Sequence, residues 1–581
     1  MGAAAQMAAL YAHDANPELK ILIATKALRG KGGCSRMVQG GFNVVLSPMD
    51  SHELHFMDTL KGGQYINKQD LAYTLVSEAT ATIKEMETKF GCFFDRNSDG
   101  TIHQKPFAGQ SFDRTVHKGD LTGIEIMSRL TEQVNKRGIP VLEETRAVEL
   151  LLDDTGQVVT GALLFDMRRG EFLIVEAAAT LVATGGGPTQ YRFHAPGPEK
   201  SVDGLGMLYR AGVRMMDMEM VQFHPTGLII PGSVVAGALL EEGLRGAGAH
   251  LFNGEGKRYM LDYAPEMAER ATRDVVSRSS YMEMSSGRAC PEGGVHIQAS
   301  HLGPDFVLKN FPGMAERCRQ FGYDLARGRV PISPTAHFVM GGAAVDLVGQ
   351  TSHQRLFVAG EDAGGVHGAN RLGGNGICES CVLGRQVGKA LAKHLHNGGR
   401  TAQPARRGMA EEIADRLTQP LKRPSGPSPF DLKKAIQELN WNKVGVVRSG
   451  EGLQAALSEI EAIAGEAAKM RVIGGGVYNM MYTTACDLLN MIDVSRMVAA
   501  SALAREETRG AHSRSDFPNQ RDDYGLFNTY LRRGANGKPE IDKRPVAFTR
   551  KSLQECQNFK KTKDREKAEQ EPTPVGTNAD E

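Results

Sequence analysis

The chain has no surplus of charge, no cysteine framework and no long apolar run, and each absence removes a class of function. Lys plus Arg number 69 against 68 Asp plus Glu, so no basic excess marks it for nucleic acid. Eight cysteines, at positions 34, 92, 290, 318, 378, 381, 486 and 556, follow no regular spacing. A disulfide scaffold is excluded and a reducing cytosol is expected. No charged start leads into an apolar stretch, and no uninterrupted apolar run is long enough to span a bilayer. Membrane contact is therefore expected only through partners. No internal repeat is present.

What remains is a soluble globular composition, 41% hydrophobic and 24% charged over 581 residues. That length exceeds one ordinary core, so about two to four domains and room for a large cofactor are expected. The run KILIAT at 20–25 is a short strand signal, and the Ala-rich stretch 3–12 before it is helical, which together make half of a βαβ unit. Glycines crowd positions 30–42 (GKGG, QGGF), a predicted loop whose backbone amides can approach a ligand. Two more strand-like runs, 178–183 and 355–359, stop at the turns Thr184-Gly185-Gly186-Gly187 and Gly360-Glu361. Open α/β sheets bind ligands beyond such strand ends. Over 408–505 the spacing of Leu453, Leu457, Ile460 and Ile463 is helical, and Pro420, Pro424, Pro427 and Pro429 are expected to mark the junction before that segment. The charged, aromatic-free tail after Phe559 is expected to be disordered.

Four segments carry the chemistry: QFHPTG (222–227), LEEGLRGAG (240–248), RDVVSR (273–278) and HGANRLGGNG (367–376). KPFAGQS (105–111), VDGLGM (202–207), PTAHFVMGG (334–342) and RGAHSRSDFP (509–518) accompany them. In order, spacing and wording they resemble the flavoprotein subunits of succinate dehydrogenase and fumarate reductase, over nearly the whole chain. The resemblance implies an α/β fold with a Rossmann-like FAD-binding domain in two parts (1–231 and 332–400) and an inserted capping domain (232–331). A helical domain (408–505), an irregular C-terminal extension (506–558) and the tail (559–581) follow.

A dianion needs donors at both ends, and arginine offers a carboxylate a planar fork. By resemblance Arg371 and His337 hold one carboxylate and His224 donates to the other. A lone histidine is more often structural; the motif context reverses that balance. Hydride addition to an alkene leaves carbanion character on the neighbouring carbon, and the family quenches it with the first arginine of RDVV, here Arg273, fed through Glu242 and Arg245. An arginine is ordinarily always charged, so such a role requires a closed, water-poor site with a relay that replaces the proton. FAD contacts are implied for Thr184, Gly185, Asp203, Glu361, Gly376 and Ile377, with the amides of Gly33, Cys34, Ser35, Gln39, Gly40 and Gly41 along the isoalloxazine. The resemblance also implies electron exchange with an iron–sulfur subunit that is anchored at the inner face of the membrane. Cys378 and Cys381 are expected to pack in the core, and no metal site is expected in this chain.

Three departures from the family qualify this. The family opens with a strand and a Gly-x-Gly-x-x-Gly turn, whereas this sequence opens in the following helix, with Met1, Ala3 and Gln6 at the glycine positions. A start codon assigned downstream of the true one is the simplest explanation. Covalent members carry a histidine where Cys34 stands, so FAD is expected to be noncovalent, with a bias toward fumarate reduction. The family's substrate-binding threonine is replaced by Glu241, whose carboxylate would repel a dianion unless protonated or turned away. Glu241 and Cys34 keep two alternatives open: an L-aspartate oxidase, or a reductase of another unsaturated acid. The absent turn motivates a third, an FAD-free subunit that only binds partners.

Overall fold

The computed structural model describes residues 1–233, 235–396, 401–522 and 526–559. The predicted tail lies almost wholly outside them. The architecture is mixed α/β. Helix Ala3–Ala15 packs against helix Asn375–His396 through small residues. A Cβ on Gly384 would come within 2.7 Å of the Ala4 carbonyl oxygen and one on Gly388 within 2.4 Å of that of Ala8. This spacing is what fixes glycine at both positions. Cys378 and Cys381 on the same helix are fully buried.

The expected strands form as two parallel pairs. Ile23–Ala24 pairs with Val141–Leu142, and Leu356–Val358 pairs with Thr180–Val182 in the register Leu356 to Thr180. Both strands of the second pair end at the glycine turns expected from the sequence. An antiparallel sheet of Thr145–Leu152, Val159–Asp166 and Glu171–Glu176 lies alongside.

The capping unit is built on a four-stranded antiparallel sheet in the order Val221–Leu228, Arg329–Val339, Val295–Gln298, His250–Phe252. It has its own apolar core, including Leu228, Leu244, Leu251, Val276, Ile297 and Ile332. Helices Arg407–Lys422, Pro429–Lys443, Gly450–Ala467 and Met480–Ala504 follow. Leu453 and Ile460 are buried, and Leu457 and Ile463 pack partly buried beside them.

Two expectations need correction. Pro420 sits inside helix Arg407–Lys422, in its last turn, so the prolines separate the first helix from the second and do not precede the helical segment. Pro429 occupies the first turn of the next helix, where a missing N–H costs nothing. The C-terminal extension is not irregular either: Phe527–Arg533 and Pro539–Pro545 form an antiparallel hairpin. The hairpin joins a five-stranded sheet through Met215–Met216. Its alternating FNTYLRR run and the GANGKP turn were the available signal.

Candidate active site

One cavity of about 1290 Å³ has walls from both the α/β body and the capping unit, a volume above the usual range for small-molecule sites. Gly33, Cys34, Ser35, Gln39, Gly40, Gly41, Thr184, Gly185, Asp203, Glu361, Gly376 and Ile377 line it, together with the first turn of helix Ala3–Ala15. His224, Glu241, Glu242, Arg273, His337 and Arg371 line it as well. Arg245 is not on the wall; it lies buried behind Glu242.

The cofactor wall has features that suit FAD. Gly2 brings no capping side chain to helix Ala3–Ala15, and the Ala3 amide donates to Ser35 Oγ at 3.1 Å. A helix N-terminus opening on a cavity suits a phosphate group. Gly33 has a φ of 88°, and a Cβ there would meet nothing within 4 Å; its amide donates to Glu199 Oε1 at 3.0 Å. Gly376 and Ile377 open the 22-residue helix Asn375–His396, placing a second positive helix end at the cavity.

Other implied contacts are already engaged within the protein. Thr184, Gly185 and Gly186 donate their amides to Asp362, at 2.9 Å from Gly185 and 3.1 Å from Gly186. Asp203 accepts from Arg146, Lys26 and the Asn490 amide, in a buried ion network with Asp487. Glu361 pairs with Lys200 and accepts the Val339 amide at 3.1 Å. Burial pushes the Glu361 carboxyl up to about 7, against the pull of Lys200. Burial also pushes the Cys34 thiol up to about 11, with Lys200 opposing, so the thiolate that would attack a flavin is scarce at neutral pH.

At the other end a chain of contacts joins three arginines. Arg273 donates to Glu242 Oε2 from Nε at 2.8 Å and from Nη2 at 2.5 Å. Arg245 Nη2 approaches Glu242 Oε1 at 3.6 Å, and Arg245 Nη1 donates to the Glu269 backbone carbonyl at 2.5 Å. Gln222 Oε1 accepts from Arg273 Nη1 at 3.0 Å and from Arg371 Nη2 at 3.2 Å. The Gln222 amide nitrogen is itself fixed by Asn370 Oδ1 and the Arg371 carbonyl. Burial alone would raise the Glu242 carboxyl, but Arg273 and Arg245 outweigh it and hold it below the ordinary range. Arg371 is drawn down to about 9, by burial first and then by the nearby Arg273. His224 and His337 pack edge to face at 5.5 Å between ring centroids. Burial and the surrounding arginines drive both far below the usual imidazole range, so they are neutral donors at pH 7.

Two buried arginines have nitrogens without a hydrogen-bond partner in the protein. Arg371 Nε is one; Arg245 Nε and Nη2 are others. A buried guanidinium left unsatisfied is costly, and of the two only Arg371 lines the cavity. Glu241 is buried on the same wall, its Oε1 accepting from Lys105 Nζ at 2.9 Å.

Sequence reasoning missed Gln222, Lys105 and Asp362 as site residues, although each lies inside or beside a quoted segment. No metal-ligating set was expected. Among the described residues Cys290, Glu292 and His296 bring their donor atoms within 4.8 Å of one another. This trio is outside the cavity wall, and its histidine and glutamate approach at 3.7 Å.

Residues 1–377 match the family described as FAD binding domain, and residues 433–563 match the fumarate reductase flavoprotein C-terminal family. An uncharacterized FAD-dependent oxidoreductase of Methanocaldococcus jannaschii is 38% identical over 90% of this chain and 93% of its own. A fumarate reductase (CoM/CoB) subunit of Methanothermobacter marburgensis is 37% identical over 87% and 92%. The solved quinol fumarate reductase chain of Escherichia coli superposes with a TM-score of 0.88 at 30% identity, covering 95% of this chain and 96% of that one.

Proposed function

The chain belongs to the FAD-dependent flavoprotein family of fumarate reductases and succinate dehydrogenases, and from that premise we propose that it interconverts fumarate and succinate. The observation that carries this reading is the pair Arg273 and Arg371, held on one glutamine oxygen, with Arg371 Nε unpartnered and Arg273 backed by Glu242. The helix N-termini and the Gly33–Ser35 and Gln39–Gly41 backbone would hold FAD, which when bound would supply hydride for reduction or take it up in oxidation.

The side chains of this chain do the rest. Arg371 and His337 take one carboxylate, and His224 donates to the other as a neutral imidazole. Arg273 gives its proton to the carbon next to the one that receives hydride, and fumarate becomes succinate. Glu242 and Arg245 then return a proton to Arg273, a short relay in a buried setting where water does not compete. The reverse sequence oxidises succinate. Anaerobic turnover of the purified holoprotein with fumarate and a reduced viologen dye tests the reading. Assays with succinate and with aspartate separate it from the aspartate oxidase alternative, and a visible spectrum excludes an FAD-free subunit.

Electrons are proposed to pass to or from an iron–sulfur subunit that itself meets the membrane. Relatives that are described as one subunit of a larger enzyme and as a quinol fumarate reductase support this. Among the described residues no helix is long and apolar enough to cross a membrane. Co-purification of a brown, iron-containing partner from the native source is the expected result.

The flavin is expected to be noncovalent, because Cys34 stands where covalent members carry a histidine and burial raises its thiol further above neutral pH. After acid precipitation the yellow colour will stay in the supernatant; colour in the pellet that disappears in Cys34→Ser would establish a cysteinyl bond instead. Gln222→Leu removes the acceptor that two arginines share and leaves both partly unsatisfied. Loss of hydrogen bonds to charged groups, each worth about 1.5–3 kcal/mol, should lower steady-state fumarate reduction by about 10- to 100-fold with flavin content unchanged.

A further inference from the structure

The carboxylate at position 241 looks hostile to a dianion, and the contact that answers it comes from a distant part of the chain. Lys105, on the short strand Gln104–Lys105, reaches Glu241 at 2.9 Å. The Glu241 side chain is 7% exposed and that of Lys105 22%. Both belong to walls around the acid-binding end: Glu241 lines the cavity directly, and Lys105 lies over the ring of Phe107, which also lines it. The cluster of Arg245, Arg273, Arg371 and Glu242, joined by ion pairs at Glu242 and by the shared Gln222 oxygen, has three cations and one carboxylate, an excess of two positive charges that matches a dicarboxylate. Glu241 alone would cut that excess to one. Paired with Lys105 it leaves the excess intact.

We propose that Lys105 is a specificity-determining residue of this enzyme: it neutralises Glu241 and so keeps the cleft complementary to a dianion. The proposal rests on the dicarboxylate reading given above and adds a residue to it. Lys105 needs no contact with the substrate for this role; it acts through Glu241, as a positioning and compensating group. An uncompensated buried carboxylate a few ångströms from a substrate carboxylate repels it strongly, since at an effective dielectric of about 20 such a pair interacts by several kcal/mol.

A two-residue cycle tests this on the holoprotein, with fumarate binding read from the change in flavin absorbance and turnover read separately. Lys105→Met is expected to raise the KM and the Kd for fumarate by about 10- to 100-fold while kcat changes by less than about threefold. Glu241→Gln should leave binding unchanged or tighten it. In the double variant Lys105→Met with Glu241→Gln, affinity should return to within about threefold of the native value. A double variant as weak as Lys105→Met would show that Lys105 binds the substrate itself, and an unaffected Lys105→Met would show that the pair has no bearing on recognition; either overturns the proposal. If Lys105→Met fails to fold, recovery of flavin content and affinity in the double variant still reports the compensation, and its absence refutes it. Native protein that binds fumarate and obeys the cycle but does not reduce it would refute the reaction and keep the pair; native protein that binds neither fumarate nor succinate refutes both.

Discussion

Arg273→Ala will yield a protein that keeps its yellow colour and loses fumarate reduction almost completely. The guanidinium is held on Glu242 through two nitrogens and on Gln222 through a third, so its removal takes away the proton source that both lines the cavity and is coupled to the Glu242 and Arg245 relay. Loss of a general acid lowers a rate by roughly a hundred- to ten-thousandfold. The effect should fall mainly on kcat, because Arg371, His337 and His224 remain to hold the acid. Arg273→Lys should recover little: a compact ammonium cannot satisfy Glu242 and Gln222 together from that position. Flavin content by absorbance and anaerobic steady-state kinetics check both. Near-native turnover with only a raised KM would show that Arg273 binds substrate and delivers no proton.

Arg371→Ala should fail differently. This side chain lines the cleft and shares Gln222 with Arg273. Its loss leaves a substrate carboxylate buried without a counter-charge, a defect of about 3–5 kcal/mol in comparable buried pairs. Affinity for fumarate and succinate should both fall by at least about a hundredfold, and kcat should fall too because the alkene is no longer fixed against Arg273. Titration of the flavin spectrum with succinate, which needs no turnover, reads the binding loss alone. Arg371→Lys should restore part of the affinity and little of the rate, since a single ammonium replaces charge without replacing the fork. Equal losses in Arg273→Ala and Arg371→Ala on both parameters would mean that the two arginines are one binding unit.

The proposed site residues were legible in the sequence because each lies in a short segment that resembles the family's wording, and all but Arg245 line one cavity. The strands ending at Gly185 and Gly360 were legible for the same reason, since a β-branched run stopped by glycine is a local signal. Contacts made across the fold were not. Lys105 and Glu241 stand 136 positions apart, so the sequence could show an out-of-place carboxylate without showing its partner. Gln222 is one residue from Phe223 and two from His224 in a quoted motif, yet its function depends on meeting Arg273 and Arg371, which only packing decides. Asp362 follows Glu361 directly, yet its hold on the 184–186 turn through three backbone amides depends on the pairing of two strands distant in sequence. The C-terminal hairpin was missed because its second strand, Pro539–Pro545, is largely charged and exposed; the first strand and the neighbouring Met215–Met216 supply the partners that make it part of a sheet.

The capping unit's apolar core and the main core have no fully buried side chain in common, and touch through the partly buried Met284. The polar groups that line the cavity come from both: Glu242 and Arg273 stand on helices of the cap, His224 and His337 on the strands Val221–Leu228 and Arg329–Val339 of its sheet, and Arg371 on the segment before helix Asn375–His396. The site is thus a joint rather than a hollow carved in one block. Substitutions that loosen the cap's interior would shift one face of the joint against the other while leaving each face's own residues in place.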